Sequence, residues 1–217
     1  MKFEKPAVSI TDQIELLKRR GMAVEDETLA QHFLQFISYY RLRAYWLTFE
    51  VPAAGNGDHA FRKGTTFEDV LELYIFDREL RLLVLDAIER VEVAIRAQWA
   101  HHMAMNHGPH GYLEQGHCAQ IAPHATAVAD LTNQFKRSRD TFKVHYRTKY
   151  TCPELPPVWM AAEVMSFGLL SKFYSDLKLR AERQAIAKPF GLDEKVLASI
   201  AHHTSHVRNI CAHHGRL

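Results

Sequence analysis

The sequence predicts an all-α protein, a helical bundle built around one long central helix. Three observations carry this expectation. Apolar residues recur at steps of three and four along most of the chain. Sustained period-two runs are missing, and no Asn-Gly turn is flanked by alternating apolar residues. Helix punctuation recurs, with Ser, Thr or Asp before an apolar run and Gly or Pro after it.

The elements follow in order. Ser9-Ile-Thr-Asp12 opens a first helix, because a hydroxyl there accepts from the free N–H groups of the first turn, and Gly21 closes it. Residues 26–49 read as one bent helix or two short ones. VPAAGNGDHAF (51–61) is a loop, rich in Gly, Pro, Asn and Asp. Thr65 or Thr66 then caps the longest element, which runs from Phe67 to Asn106. Leu73, Phe76, Leu80, Leu83, Val84, Ala87, Ile88, Val91 and Ile95 form its apolar stripe. At ~1.5 Å per residue its ~40 residues span roughly 60 Å. HGPHG (107–111) ends it. A further helix is expected over 125–150, and the prolines of CPELPP (152–157) break the chain. Residues 158–177 are helical, with Ser166-Phe-Gly168 as the point of interruption. Residues 179–188 make a short helix ending at Pro189 and Gly191. Asp193 caps a last helix that runs to His214 and stops at Gly215. The chain reads as a single all-helical domain, 1–217, within which 1–50 can form an N-terminal subdomain.

Composition narrows the function classes. The chain has 217 residues, a net charge of +2 and 14 histidines. Its three cysteines, Cys118, Cys152 and Cys211, are odd in number and widely spaced, which suits a reducing compartment and fits neither a disulfide framework nor a zinc motif. No run of ~18 uncharged apolar residues is present to span a membrane, and MKFEKPAVSITDQ lacks the apolar core of a signal peptide. A cytoplasmic protein without cofactor or metal is expected.

HVRNICAHH (206–214) is the densest polar stretch. On a helical wheel Val196, Leu197, Ile200, Thr204, Val207 and Cys211 gather on one side. His202, His206, Asn209 and His213 form a narrow stripe opposite, and Arg208 lies at the border. Three readings are open. The stripe is a solvated helix end, where protonated histidine meets the helix dipole. Or His202 and His206, four apart, hold a metal, although no carboxylate lies on the stripe and HExxH is absent. Or the stretch performs acid–base chemistry on phosphate. Imidazole gives and takes a proton near neutrality, and guanidinium grips two phosphate oxygens. RNA carries its own nucleophile in the 2′-hydroxyl.

Other features carry paired readings. Glu92 and Arg96 are an i, i+4 ion pair, either an ordinary surface pair or a clamp that orients Arg208 or His213. SYYRLRAYW (38–46) places Tyr40 beside Arg41 and Arg43, either as core packing or as a surface that stacks bases and meets phosphates. KRSRDTFKVHYRTK (136–149), with Lys136, Arg137 and Arg139, is either a solvated face or a track for an RNA backbone. His101, His102, His107, His110, His117 and His124 surround a Gly/Pro loop with Cys118, in spacing that fits no zinc pattern and reads as loop histidines.

Four of these segments carry a resemblance. Arg208-Asn209-x-x-x-His213 resembles the Arg-x4–6-His signature of the HEPN superfamily of all-helical ribonucleases. Ser38-Tyr-Tyr-Arg-Leu42, the segment Phe67–Arg96 with FDRELR and IERVEVAIR, and Pro157-Val-Trp159 with Met165-Ser-Phe-Gly168 resemble, in order, motifs of the Abi-like proteins of bacterial abortive infection. Family members commonly continue past the position of Leu217, often with Trp-Asn-Arg. The resemblance implies a HEPN-like core and a metal-independent RNA endonuclease of phage defence or toxin type. Its products would be a 2′,3′-cyclic phosphate and a 5′-hydroxyl. On this reading His213 is the general acid or base, Arg208 holds the scissile phosphate, and Asn209 orients the His213 ring or bonds a phosphate oxygen. Glu92, Arg96 and His206 support them. On an ideal helix Arg208 and His213 point about 140° apart. The family's answer is a homodimer that pairs two copies of the last helix. An antitoxin protein or inhibitory RNA is a further expected partner. The alternative is a non-catalytic RNA- or protein-binding module of the same fold.

Overall fold

The computed structural model describes residues 2, 6–52 and 59–217; the predicted loop at 51–61 lies outside them over 53–58. The described residues form ten α-helices and no strand. They divide into two compact units, one running through Leu82 and including Arg216–Leu217, the other Leu83–Gly215. The longest helix supplies residues to both.

The first unit holds α1 (Ile10–Arg19), α2 (Glu27–Ile37), α3 (Tyr39–Trp46) and the start of α4 (Phe67–His107). Ser9 accepts from the Asp12 N–H and caps α1, and Gly21 at φ 94° turns the chain out of it. Residues 26–49 make two helices because Ser38 adopts φ 75° between them, a conformation no helix can contain. Thr66, not Thr65, caps α4. Its hydroxyl accepts from the Asp69 N–H at 3.0 Å while the Asp69 carboxylate accepts from the Thr66 N–H at 2.8 Å. Leu17, Leu34, Leu42, Trp46, Phe67 and Val70 fill the core of this unit.

The apolar stripe expected on α4 is rotated in this region. Asp77 and Arg81 are buried as an ion pair, while Phe76 and Leu83 are 63% and 70% exposed. The Tyr45 hydroxyl donates to Asp77 at 2.8 Å, and Arg81 donates to that hydroxyl at 3.2 Å. Burial, reinforced by the Asp77 charge, pushes the Tyr45 phenol upward. The Leu217 N–H donates to the other Asp77 oxygen at 3.0 Å. A paired and hydrogen-bonded carboxylate can be buried where counting apolar residues would not place it.

The second unit holds the rest of α4 with α5 (Ile121–Arg137), α6 (Thr141–Lys149), α7 (Val158–Val164), α8 (Phe167–Ser175), α9 (Arg180–Ala187) and α10 (Glu194–Ala212). Ile95, Trp99, Phe135, Val158, Leu170, Phe173, Tyr174 and Leu197 lie in its core. The single helix expected over 125–150 is two. Ser138 leaves the helical region, and buried Lys143 donates to the carbonyls of Lys136 and Ser138, each at 2.6 Å. A lysine thus satisfies carbonyls that the end of α5 leaves free. Among the described residues no helix is long and apolar enough to cross a membrane.

Gly111 follows α4 at a point of close approach. A Cβ there would lie 2.2 Å from the His107 Cβ, which sits too near the backbone to swing away. Gly111→Ala is therefore expected to cost about 1–3 kcal/mol, measured as a lower midpoint in urea unfolding with an unchanged slope.

Candidate functional site

The candidate site is carried by α10, and its base is anchored first. Asp193 caps the helix by accepting from the Lys195 N–H at 2.9 Å. Glu194 is buried against Arg183, whose Nε donates to it at 2.8 Å. The Tyr174 hydroxyl lies 3.0 Å from the Glu194 carbonyl, and burial with the Glu194 charge pushes that phenol up to about 12. The buried face then runs through Leu197, Ala201, Ser205 and Cys211. This corrects the wheel reading, since Val196 is 46% exposed. Ala201 and Ser205 are poor markers of a core on a hydrophobicity scale, yet small side chains are what let α8 pack close against α10.

That rotation carries Arg208 toward the interior edge. Its side chain is 43% exposed, and its Nε lies 3.9 Å from Glu92 Oε2. The other Glu92 oxygen accepts from Arg96 Nη2 at 2.5 Å. Buried Arg96 also donates from Nη1 to the Ala162 and Met165 carbonyls, the second at 2.9 Å. Those carbonyls lie where α7 ends at Val164 and Ser166 starts α8: the Ala162 carbonyl also accepts from the Met165 N–H at 3.2 Å, and the Ser166 hydroxyl accepts from the Leu169 N–H. One chain of alternating charge thus runs from the end of α7, through Arg96 and Glu92 on α4, to Arg208 on α10.

The 3.9 Å separation is an ion pair without a hydrogen bond. Among the described residues, apart from a weak 3.4 Å contact with the Asn209 carboxamide oxygen, the guanidinium keeps its fork of donors unengaged. It opens on a cavity of about 410 Å³ lined by Leu85, Asp86, Glu89, Glu92 and Arg208. Sequence reasoning missed Leu85, Asp86 and Glu89. Leu85, Glu89 and Glu92 stand at i, i+4 and i+7, a helical spacing that would have placed them on one face.

His213 caps the C-terminus of α10 and is exposed, with its N–H on the Asn209 carbonyl at 3.0 Å. Beyond it the chain closes by two bonds, His214 N–H to Cys211 O at 3.1 Å and Gly215 N–H to Ile210 O at 2.7 Å. The left-handed residue of this turn is His214, at φ 58°, not Gly215. Gly215 serves close approach instead, since a Cβ there would meet the Ile210 Cγ2 at 3.0 Å. His202, His206 and Asn209 are exposed.

The model of a family described as Abi-like protein matches residues 32–217. The chain belongs to the Abi-like family. Membership points to abortive infection, a bacterial defence against phage. No curated protein and no solved structure matches the chain.

The other predicted residues of this Abi-like protein divide between the two units. Tyr40, Arg41 and Arg43 lie in the first unit, where Leu42, Tyr45 and Trp46 are core and Tyr40 is 82% exposed. Lys136, Arg137 and Arg139 lie in the second, all exposed, with Lys136 3.3 Å from Glu154. Several of the expected loop histidines are structural. His107 Nε2 lies 2.6 Å from Glu182 and its ring stacks on His117 at 3.8 Å. His124 is buried, with Nε2 3.0 Å from the Tyr112 carbonyl. Burial lowers the His102 imidazole from its ordinary range. Among the described residues no three His, Cys, Asp or Glu side chains are gathered to hold a metal ion.

The ion-pair chain makes a stability prediction. Arg96→Met leaves Glu92 short of its buried partner and removes the arginine donors from the Ala162 and Met165 carbonyls. It is expected to cost about 3–5 kcal/mol in denaturant unfolding. Removing the exposed Asp86–Arg90 pair by Arg90→Ala is expected to cost less than about 1 kcal/mol.

Proposed function

We propose that this Abi-like protein is a metal-independent RNA endonuclease of phage defence or toxin type, acting through Arg208 and His213. The observation that carries the reading is the placement of Arg208. Its guanidinium is steered by Glu92 without being consumed by it, and it faces open space beside a rigid support. Such a group grips a phosphodiester and offsets charge that develops on its oxygens. His213 stands five residues on, exposed at the helix end, where an imidazole can take the 2′-hydroxyl proton or give one to the departing 5′-oxygen. Asn209 lies between them, touching Arg208 through its carboxamide and the His213 N–H through its carbonyl. The 2′-oxygen attacks phosphorus, the P–O5′ bond breaks, and the products are a 2′,3′-cyclic phosphate and a 5′-hydroxyl.

The cavity beside Arg208 also explains why a second copy is proposed. Asp86, Glu89 and Glu92 line it with Arg208, and since Arg90 and Arg96 pair with the first and the last, the group has no net positive charge and one chain alone offers phosphate little net attraction. A two-fold pairing of α10 helices adds a second arginine and lets Arg208 of one copy work with His213 of the other. Leu83 and Val93, on the part of α4 in the second unit, are 70% and 57% exposed and supply apolar surface for such pairing. A protein antitoxin or inhibitory RNA is the proposed restraint. The second reading is a non-catalytic binding module, which the carboxylates around Arg208 favour.

Cleavage of single-stranded RNA with end-group analysis separates them. Arg208→Ala and His213→Ala are each expected to lower the cleavage rate at least about a hundredfold, with RNA binding retained and excess chelator without effect. If the unaltered protein leaves RNA intact, the module reading stands. Mixing the two inactive variants in equal amounts is expected to restore about a quarter of the activity if each site draws Arg208 and His213 from different copies. No restoration places both groups in one copy.

A further inference from the structure

The second unit contains another cavity, remote in sequence from Arg208 and His213. It measures about 400 Å³ and is lined by Trp159, Tyr150, Tyr146, His145, His110 and Met160, among others. That volume lies within the ~300–1,000 Å³ of small-molecule pockets. Its walls are rich in rings, and two of them are open to solvent. Trp159 is 52% exposed and Tyr150 47% exposed, although tryptophan and tyrosine have much to gain from burial. Tyr146 is held from behind by its hydroxyl, which donates to the carbonyls of Pro153 and Leu155 at 2.9 and 3.1 Å. His110 also lines the cavity, and its buried Nε2 has no hydrogen-bond partner among the described residues.

α6, beside the cavity, is basic throughout, while α7 adds the exposed Glu163 four residues after Trp159. α6 carries Lys143, His145, Arg147 and Lys149 and no acid. Lys143 is spent on the carbonyls at the end of α5. Arg147 and Lys149 are exposed and form no ion pair among the described residues, and Lys149 Nζ lies 5.4 Å from the Tyr150 ring centre. The nearby Glu154 is engaged by Lys136. Open aromatic walls next to uncompensated cations match a planar base on an anionic backbone. An apolar protein side chain would use the rings and leave the cations without a role.

We infer that this cavity binds an unpaired base of single-stranded RNA, stacked on Trp159 and Tyr150, with Arg147 and Lys149 meeting the adjoining phosphates. The inference rests on the RNA reading above and adds to it a second point of contact with the strand. Stacking is tolerant of base identity, so the cavity selects unpaired RNA and not a sequence.

Trp159 supplies the test, because the other two tryptophans, Trp46 and Trp99, are fully buried. A 2′-O-methyl RNA hexamer, which cannot attack its own phosphate, is titrated into the full chain while tryptophan emission is followed. Saturable quenching is expected, with binding at least about fivefold tighter than that of an abasic hexamer of equal charge. Read by the polarisation of a fluorophore-labelled hexamer, Trp159→Ala and Tyr150→Ala are each expected to weaken binding about tenfold, and Trp159→Phe to preserve it. Equal binding of both hexamers with unmoved emission, in the unaltered protein, overturns the inference. The two readings fail separately. Base-dependent quenching with cleavage unaffected by His213→Ala removes the Arg208–His213 site and keeps the pocket; loss of cleavage in His213→Ala without base-dependent binding removes the pocket alone.

Discussion

The second unit is organised around the Glu92–Arg96 ion pair. Two charges at i, i+4 on an exposed helix contribute a few tenths of a kcal/mol, but these are 15% and 10% exposed. Burial raises the stakes, because each charge then depends on its partner and on further hydrogen bonds. Arg96 finds those bonds in the Ala162 and Met165 carbonyls, and Glu92 meets Arg208 on its other oxygen. The break between α7 and α8 and the Arg96 donors are therefore one feature: a helix ends there, and the arginine satisfies what the ending exposes.

Three of the four segments that resemble the Abi-like family meet in this chain of charges. The segment through Arg96 supplies the pair, Pro157–Gly168 supplies the carbonyls, and Arg208-Asn209-x-x-x-His213 supplies the outer guanidinium. A long, flexible arginine is ordinarily poorly placed for catalysis, since ordering it costs side-chain entropy. Glu92 meets part of that cost in advance by attraction alone, and the donors that a phosphate needs are left open. The support is buried and hydrogen-bonded while Arg208 is half-exposed, which is the arrangement a binding group requires.

The end of α10 adds a second constraint. Its closing turn puts His214 in the left-handed region and needs Gly215 for close approach to Ile210. The turn fixes where the helix stops and so where His213 emerges. The cavity at Trp159 and Tyr150 is likewise set by helix endings: the α6 terminus and the proline-rich link to α7 frame it. In both places function is proposed at the irregular ends of regular elements, where backbone geometry frees side chains from the packing of the core.

Much was legible in the sequence by itself. The all-helical class, the long helix from Phe67, the caps at Ser9 and Asp193 and the i, i+4 relation of Glu92 to Arg96 follow from local periodicity and hydrogen-bonding chemistry, which neighbouring residues decide among themselves. The Arg208–His213 spacing was equally plain. Tertiary structure alone decided what those local patterns face. It buried Asp77 and Arg81 and exposed Phe76, because a paired charge can enter a core when a tyrosine hydroxyl completes its shell. It divided 125–150 at Ser138, where Lys143 reaches back to cap carbonyls. It turned α10 so that Ala201 and Ser205 pack inward and Arg208 comes to Glu92, 116 positions earlier in the chain. Local sequence sets the period of a helix, but its rotation about its own axis is set by the partners it packs against, and the identity of a site depends on that rotation.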